Sequence, residues 1–453
     1  MQRGTNPKEF MKDSQRRLVF SQLRMATEVW QGIEKDTMPS DRWLARYFYQ
    51  NRKKVGSRDR KFLSETIYAI FRNKSFLEAW VEKAKPRPIM SDLEKAENLC
   101  LYAAAKEGLV SREDFREFFK QSEKVYAALQ EHLLPEGEGP KSKEEMIALL
   151  YSFPLWLVRH WVEVFGVHET ERLIGFFQQR PLLVLRANTL KISRKKLVDM
   201  FRRFGVEANQ TTMSYFGLIL QERRNVFDTP AFRDGWFEVQ DEGSQMVCQK
   251  MDPQPGESIW DVCAGGGGKS LLLAAMMENK GRIVATDLRS YKLEELKKRA
   301  KRAGVFNIFP AELDRMADLK LAQRGFERIL VDAPCSGTGT LGRNPDAKWK
   351  LNPSWFEALP KEQLAILEKA LPYLAENGRL YYATCSVEAA ENEEVAKAFL
   401  AAHPELEIVP SGVAGEKFFK LWPPETGTDG FFLAVFKKIN EGQKAGNKTW
   451  KKR

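Results

Sequence analysis

The sequence predicts a mixed α/β protein whose main domain is a Rossmann-like, doubly wound and mostly parallel sheet, preceded by an all-α domain and a small α+β module. Three patterns lead to this fold class. Helical apolar spacing dominates residues 13–130, strand and helix patterns mix over 182–239, and short apolar strands alternate with amphipathic helices from residue 240 onward. Such alternation is typical of parallel sheets that carry helices on both faces.

The all-α domain is predicted over residues 1–140. Stretches such as DRKFLSETIYAIFR place apolar side chains at helical spacing, with little β-branched alternation. The stretch LLPEGEGPKSKEE at 133–145 is rich in Gly, Pro and charge, which marks a linker. Two further helices are expected around PLWLVRHWVEVFG and ETERLIGFFQQR, and with the α+β module they make up residues 141–239.

The main domain is predicted over residues 240–440, and residues 441–453 form a basic tail. Its strand-like stretches include ESIWDVCA, RIVATDL, ERILVDAPC and GRLYYATCS. In doubly wound sheets, ligands bind beyond the carboxyl ends of the strands. Three cysteine-bearing motifs fall at such ends, so we expect the functional site there.

The charge favours an acidic polymer as partner. The 453 residues include 72 Lys and Arg against 61 Asp and Glu, a formal charge of +11, and residues 1–75 hold 17 basic against 8 acidic side chains. Nucleic acid is the simplest such partner, although a solvated surface would also explain the charge. Charge does not separate RNA from DNA.

The sequence argues against several other classes of protein. No stretch approaches the roughly 20 apolar residues of a membrane helix, and the N-terminus lacks the apolar run of a signal peptide, so we expect a cytoplasmic protein that does not bind membranes. Five cysteines without a CxxC pair and four scattered histidines indicate neither a disulfide framework nor a zinc site. We expect no metal, and we expect a monomer.

The stretch DVCAGGGGKS at 261–270 follows a strand and opens a helix, where backbone N–H groups can approach a ligand closely. A P-loop for nucleoside triphosphates fits the three residues Gly268, Lys269 and Ser270, but Cys263 stands in place of its first glycine. A magnesium-binding aspartate in RILVDAP would complete such a site. A P-loop NTPase is therefore one alternative.

Two other ligands fit the same loop. A dinucleotide motif is met by Gly265 and Gly267 but has Ser270 where its third glycine belongs. S-adenosylmethionine requires a glycine turn and an acid on its ribose hydroxyls, and Asp287 in RIVATDL stands about 20 residues beyond the loop, as in nucleotide-binding folds. Asp287 would also serve as a helix cap.

Cys335 in DAPCSGTG and Cys385 in YATCS each follow a strand, where a buried packing residue is least expected. Methylation of cytosine at carbon 5 would use both cysteines. Carbon 5 becomes nucleophilic once a thiolate has added to carbon 6, and a second group must then help to release the thiol. Asp332, three residues before Cys335, is placed to stabilise charge near N3 of the base, and Lys269 would favour a thiolate.

At this point the chain resembles the RNA 5-methylcytosine methyltransferases, and among them the bacterial enzymes that act on 16S ribosomal RNA. The resemblance rests on FEVQDEGSQ, DVCAGGGGKS, DAPCSGTGTLGRNPDAKW, YATCSVEAAENE and DGFFLAVFKK, which occur in the family's order and spacing. The helices around DRKFLSETIYAIFR look like the NusB-like RNA-binding domain of those enzymes. The resemblance implies a class I methyltransferase fold and S-adenosylmethionine as cofactor.

The resemblance also implies roles for individual residues. The TCS cysteine, here Cys385, would be the nucleophile, and the PCS cysteine, here Cys335, would promote release of the methylated RNA. The first cysteine motif carries the nucleophile in DNA enzymes, so the TCS motif favours RNA. The implied cofactor site comprises Cys263, Ala264, Gly265, Gly266, Gly267, Gly268, Lys269, Asp287, Asp314 and Asp332.

The chain departs from the family at two places. Gly265 and Gly266 stand where alanine and proline are usual, which frees the turn and would weaken cofactor binding. Leu313 replaces the glycine before the adenosine-contacting acid, so Asp318 competes with Asp314 for that role. The loop change is the one feature that favours a non-catalytic RNA-binding or ribosome-assembly factor.

The stretch NPDAKW leaves one question open. Asp346 and Lys348 would either hold this loop against the sheet or contact RNA. The basic helical domain and the 182–239 module are expected to hold the RNA backbone, which would make binding sensitive to salt.

Overall fold

The computed structural model describes residues 7–83, 90–137, 139–222, 225–313 and 324–439. Its α-helices, in chain order, are α1 (Pro7–Glu34), α2 (Ser40–Gln50), α3 (Ser57–Lys83), α4 (Asp92–Lys106), α5 (Arg112–Glu117), α6 (Glu123–Glu131), α7 (Lys143–Leu150), α8 (Leu155–Gln178), α9 (Arg194–Arg203), α10 (Pro230–Arg233), α11 (Glu242–Met251), α12 (Gly268–Met276), α13 (Ser290–Ala303), α14 (Ala347–Lys350), α15 (Trp355–Ala370), α16 (Glu393–Ala402) and α17 (Pro423–Thr426).

The strands, in the same order, are β1 (Leu183–Ala187), β2 (Ala208–Gln210), β3 (Gly217–Leu220), β4 (Phe237–Val239), β5 (Ser258–Asp261), β6 (Arg282–Asp287), β7 (Ile308–Glu312), β8 (Phe326–Asp332), β9 (Leu374–Thr384), β10 (Leu406–Ile408), β11 (Phe419–Leu421) and β12 (Phe431–Lys438). These elements form two compact units. One extends to residue 179 and includes the segment Leu341–Leu351, and the other begins at residue 180 and contains the remainder.

The first unit is helical. Its core is formed by apolar side chains that recur at helical spacing, with Trp30 of α1 packed edge-on against Phe71 of α3 at a ring distance of 5.1 Å. A capping box fixes the start of α4, because Ser91 accepts from the N–H of Glu94 and the Glu94 carboxylate accepts in return. Gly166, with φ +78°, interrupts α8 between the two helical stretches expected there.

The segment Leu341–Leu351, which carries NPDAKW, packs within this helical unit. The Asp346 carboxylate accepts from the N–H of Ser40 at 3.0 Å, where α2 begins. The indole of Trp349 donates to the carbonyl of Phe71 at 2.8 Å. The Lys348 side chain is 2% exposed, its Nζ lies 4.2 Å from the Phe153 ring centroid, and burial lowers the pKa of its ammonium group. In the structure, therefore, these side chains bind the helical unit.

The second unit begins with the α+β module. Its four strands form an antiparallel sheet in the order β2-β3-β1-β4, with Leu185 opposite both Leu218 and Val239. Helix α9 packs Leu197 and Phe201 against this sheet. The strand-like stretches LLVLRAN, FGLILQE and GWFEVQD predict β1, β3 and β4, while the short strand β2 was not predicted.

The main sheet has the order β10-β12-β9-β8-β5-β6-β7, with β11 paired to β12. Strands β5 to β9 run parallel to one another, and β12 runs antiparallel to β9. Alternate residues bury on opposite faces, as with Ile259 on one face and Trp260 on the other. This arrangement confirms the predicted doubly wound, mostly parallel sheet.

The chain reverses its winding direction at β5. It passes from β5 to β6 and β7 on one side, and then returns to place β8 on the other side of β5. A crevice opens at such a switch point, beyond the carboxyl ends of the strands. The glycine loop follows β5 and the DAPC motif follows β8, so both motifs flank this point.

Candidate active site

The glycine loop turns sharply between β5 and α12. Gly265 has φ +55° and Gly267 has φ +80°, a conformation that favours glycine. A Cβ atom on Gly267 would also lie 2.6 Å from Cγ of Leu296, so no larger residue fits there. The N–H of Ala264 donates to the carbonyl of Thr286 at 2.8 Å. The loop is therefore fixed against the end of β6.

Asp287 ends β6 beside this loop. Its Oδ2 accepts from the N–H of Gly265 at 3.0 Å, and its Oδ1 accepts from the N–H of Arg289 at 2.8 Å. Asp287 therefore joins the glycine loop to the start of the α13 region. The structure thus brings Gly265 and Asp287, both predicted cofactor residues, together. The Asp287 carboxylate also stabilises the turn before α13.

Lys269 and Asp332 form an ion pair across the switch point. The Lys269 Nζ lies 2.5 Å from Asp332 Oδ2, with the lysine side chain only 10% exposed. Burial lowers the pKa of Lys269, but the charge and hydrogen bond of Asp332 and the proximity of Cys248 and Cys385 outweigh it and hold that pKa above its usual value. A cation is thus held next to Asp332 and close to Cys385.

The two motif cysteines touch. Cys335 follows β8, Cys385 follows the adjacent parallel strand β9, and their Sγ atoms lie 3.3 Å apart. Both side chains are partly exposed, and both are free thiols. The hydrogen bond with Cys385, together with burial, raises the pKa of Cys335 well above its usual value. Cys335 is therefore held as a neutral thiol that can donate to Cys385.

A buried carboxylate that the sequence reasoning missed connects the two cysteine loops. Glu391 accepts hydrogen bonds from the hydroxyls of both Ser336 and Ser386, the residues that directly follow the cysteines, with the Ser386 bond at 2.8 Å. It also accepts from the N–H of Ser336 and from the amide of Gln363, both at 2.9 Å. The sequence feature that could have identified Glu391 is the repeated Cys-Ser pair, with an acid five residues after the second serine.

Two arginines that the sequence patterns did not predict as site residues bind carbonyl groups of the glycine loop. Arg299 of α13 donates to the carbonyl of Gly266 at 2.7 Å and to the Glu238 carboxylate at 3.1 Å. Arg186 of β1 donates to the carbonyl of Gly268 at 3.2 Å, and burial lowers its pKa to about 10. Glycine-loop carbonyls are therefore fixed by side chains from α13 and from the module.

The remaining predicted residues have mixed positions. Cys263 packs against the core that contains Trp260 and Val284, and burial raises the pKa of its thiol. Asp314 and its alternative Asp318 lie outside the described residues. Cys100 and Cys248, the other two cysteines, are buried in α4 and α11.

Two further observations concern the described residues alone. Within those ranges, no three His, Cys, Asp or Glu side chains are grouped so that they could hold a metal ion. None of the helices described combines the length and the apolar character that crossing a bilayer requires.

Comparison with known proteins assigns the class. Residues 248–437 match the family model described as 16S rRNA methyltransferase RsmB/F, and residues 153–227 match the RsmF/B-like, ferredoxin-like domain. Together with the sheet order of a class I methyltransferase, this match makes the protein an S-adenosylmethionine-dependent RNA methyltransferase. The P-loop NTPase and the non-catalytic factor are therefore not supported.

Two curated relatives narrow the assignment. A Synechocystis protein named "Probable ribosomal RNA small subunit methyltransferase B" is 33% identical over 84% of this chain and 91% of its own length. Ribosomal RNA small subunit methyltransferase B of Serratia proteamaculans is 34% identical over 64% of this chain and 67% of its own. The chain belongs to this family of ribosomal RNA methyltransferases.

Solved structures agree with the fold. The crystal structure of PH0851 aligns with 92% of this chain and 98% of its own, at a TM-score of 0.73 and 25% identity. A methyltransferase homologue from Pyrococcus horikoshii aligns with 65% of this chain and 98% of its own, at a TM-score of 0.57 and 27% identity.

Proposed function

We propose that this protein methylates carbon 5 of a cytosine in 16S ribosomal RNA through a covalent adduct with Cys385. The observation that carries the proposal is the 3.3 Å contact between the Sγ atoms of Cys335 and Cys385. Two free thiols in contact at adjacent strand ends suit a reaction that needs one sulfur to attack and a second to assist release. Methylation at a nitrogen or a ribose hydroxyl would need neither thiol.

The site residues fit S-adenosylmethionine, which supplies an electrophilic methyl group when bound. The loop from Cys263 to Lys269 offers two glycines in the left-handed conformation and a close backbone approach. Asp287 would bind the ribose hydroxyls, and Asp332 and Lys269 would face the amino-acid part. Asp314, outside the described residues, completes the proposed set.

In the proposed cycle, the target base leaves its stack and enters the crevice beyond β8 and β9. The Cys385 thiolate bonds to carbon 6, which moves an electron pair to carbon 5 and the N3 region. The Lys269 ammonium, which Asp332 holds at the site, stabilises the negative charge as it develops near N3. Carbon 5 then forms the new bond to the methyl carbon, while the bond between that carbon and the sulfonium sulfur breaks and the thioether product leaves.

Release needs two more changes. The proton on carbon 5 is removed, and the electron pair left behind expels Cys385 from carbon 6, which restores the aromatic ring. The neutral thiol of Cys335, held beside Cys385, would donate to the departing sulfur and so prevent its return to carbon 6. This gives the two cysteines different roles, as their different motifs predict.

Nucleoside analysis tests the proposal. Undermethylated 16S ribosomal RNA is incubated with labelled S-adenosylmethionine, digested to nucleosides and separated by mass. We expect label in 5-methylcytidine with the wild type and none with Cys385→Ala. Label in another nucleoside, or full transfer by Cys385→Ala, would contradict the proposed chemistry. Cys100→Ala, in the buried core of the helical unit, is the matched control.

A further inference from the structure

An open basic groove of about 720 Å³ lies where the α+β module meets the end of α13. Five cationic side chains line it: Lys191, Arg233, Lys298, Lys301 and Arg302. Among the described residues that line it, Asp234 is the one acid and Trp236 the one aromatic residue, so these residues carry a formal charge of +4, from five cations and one anion. Like charges gathered in this way repel each other unless an anion binds between them.

Two of the five cations build the groove. The Lys191 ammonium donates to the carbonyls of Asp234 and Arg302, both at 2.7 Å, and so ties the module to α13. Arg302 pairs with Glu238 and lies 3.8 Å from the Phe232 ring centroid. Their own charges are therefore partly engaged by the protein.

The other three cations face solvent. Arg233, Lys298 and Lys301 are exposed, and within the part of the chain that the structure describes their side chains form no ion pair or hydrogen bond. These three side chains are free to contact a ligand. They come from α10 and from two successive turns of α13, so they line the groove from both sides.

A helix dipole does not account for this arrangement. Cations at the C-terminal end of α13 complement the partial negative charge there, which explains Lys301 and Arg302 in its last turn. It does not explain Arg233, which belongs to another helix, or an aromatic ring in the same groove. Cations interleaved with an aromatic side chain are the means by which proteins hold single-stranded nucleic acid.

We propose that this groove binds the sugar–phosphate backbone of a single-stranded segment of the substrate RNA. Arg233, Lys298 and Lys301 contact phosphates, and Trp236 contacts a base or a ribose. The groove is open rather than enclosed, which suits a continuous strand better than a free phosphate ion. This proposal rests on the proposed function, because it takes RNA as the substrate.

The groove is connected to the glycine loop through one carboxylate. Glu238 pairs with Arg302, which lines the groove, and with Arg299, which donates to the carbonyl of Gly266. Two ion pairs and one hydrogen bond therefore connect the groove to the loop that would hold the methyl donor. This places the contact on the same unit as the two cysteines.

Salt-dependent binding tests the proposal. The affinity for a 16S ribosomal RNA fragment is measured against salt concentration for the wild type and for the triple variant Arg233→Gln, Lys298→Gln, Lys301→Gln. Three lost phosphate contacts should lower the slope of log K against log salt by about 2. The KM for RNA should rise at least tenfold, while the KM for S-adenosylmethionine stays unchanged.

A matched control removes three exposed lysines elsewhere on the same unit: Lys361→Gln, Lys369→Gln and Lys397→Gln on α15 and α16. This control should keep the wild-type slope, and both triple variants should unfold at the wild-type temperature. Trp236→Ala should weaken binding about tenfold at every salt concentration, and Trp236→Phe should restore most of it.

Two results would overturn the proposal. One is equal salt slopes for the two triple variants, and the other is displacement of the RNA fragment from the wild type by polyglutamate as readily as by unlabelled RNA. The proposed function fails separately, if the wild type transfers no methyl group to cytosine. A wild type that methylates RNA but shows no change of slope on substitution would refute the groove alone.

Discussion

The Sγ atoms of Cys335 and Cys385 lie 3.3 Å apart although 50 residues separate the two cysteines along the chain. Their contact follows from the sheet, because β8 and β9 are adjacent and parallel, with Asp332 opposite Ala383. Residues that follow neighbouring parallel strands meet at one edge. The site is thus assembled by the strand order itself.

Proximity of the two thiols predicts their oxidation to a disulfide. Diamide should remove the two thiol hydrogens and join Cys335 to Cys385 in a disulfide, and methyl transfer should be lost. Dithiothreitol should restore the two thiols and the methyl transfer. Peptide mass mapping identifies the linked pair. Cys335→Ser lacks one of the two thiols and should form no disulfide at this site. A disulfide formed through Cys263 instead would contradict the observed geometry.

Glu391 is expected to position both cysteine loops. Glu391→Gln keeps the size of the side chain but leaves one acceptor oxygen, which cannot serve both the two serine hydroxyls and the N–H donors of Ser336 and Gln363. We expect kcat to fall about 100-fold through misplacement of the thiols, with the KM for S-adenosylmethionine unchanged.

A merely structural role would lower stability without changing kcat. The free energy of unfolding and single-turnover adduct formation are therefore measured together, at a temperature where the variant is folded. Glu394→Gln, an exposed residue on α16, is the control and should match the wild type in both. A Glu391→Gln protein that unfolds early but forms the adduct at the normal rate would argue against positioning.

Arg299 is expected to replace the proline that the glycine loop lacks. Arg299→Ala removes the donor to the Gly266 carbonyl, so the KM for S-adenosylmethionine should rise about tenfold, the equivalent of one hydrogen bond to a charged group. Arg302→Ala breaks the other ion pair of Glu238 without touching the loop, and should leave that KM unchanged.

A rescue makes this test specific. In the wild type, a Cβ on Gly266 would lie 3.1 Å from Nη1 of Arg299, so proline there meets the guanidinium. In Gly266→Pro combined with Arg299→Ala, the close neighbour that remains is Oε1 of Glu295 at 3.2 Å, the end of an exposed side chain that can move aside. The reduced freedom of the loop should then recover about two- to fivefold of the lost affinity. No recovery in the double variant would count against the idea that Arg299 acts by fixing the turn.

Lys348 is expected to make stability depend on pH. Burial lowers its folded-state pKa below the unfolded value. Between those two pKa values the unfolded chain binds a proton that the folded chain does not, so the free energy of unfolding rises with pH, by up to about 1.4 kcal/mol per pH unit.

Lys348→Met should remove this slope and stabilise the protein near neutral pH. The lost hydrogen bond costs little, because the Arg72 carbonyl that accepts from Lys348 also accepts from the amide of Gln178. Urea unfolding at several pH values between 7 and 10 measures the difference. Parallel pH profiles for the two proteins would show that Lys348 is charged in the folded state.

Much of the fold was predictable because its strands are buried on both faces and read as short apolar runs. The strands that the patterns missed have local reasons. Strand β7 lies at the edge of the sheet, is only partly buried and contains Pro310, which removes a backbone donor. Strands β2, β10 and β11 have three residues each, too few for an alternating pattern.

The site was predictable to the extent that its residues follow strands. Lys269, Asp332 and the two cysteines are named by motifs and meet at the switch point. Arg299 could not be predicted, because it is one of several basic residues on an amphipathic helix and only the packing of α13 selects it. The placement of Asp346 in the helical unit likewise depends on contacts about 300 residues apart in the chain.

The roles of the two thiols are distinguished by the fate of the covalent adduct when Cys335 is replaced. Cys335→Ala is mixed with 16S ribosomal RNA and S-adenosylmethionine, and the products are separated on a denaturing gel. We expect a protein–RNA species that accumulates with time, carries the labelled methyl group and disappears in the double variant Cys335→Ala, Cys385→Ala. If Cys335→Ala turns over normally and forms no adduct, or if the adduct survives the loss of Cys385, the proposed division of labour between the two thiols is wrong.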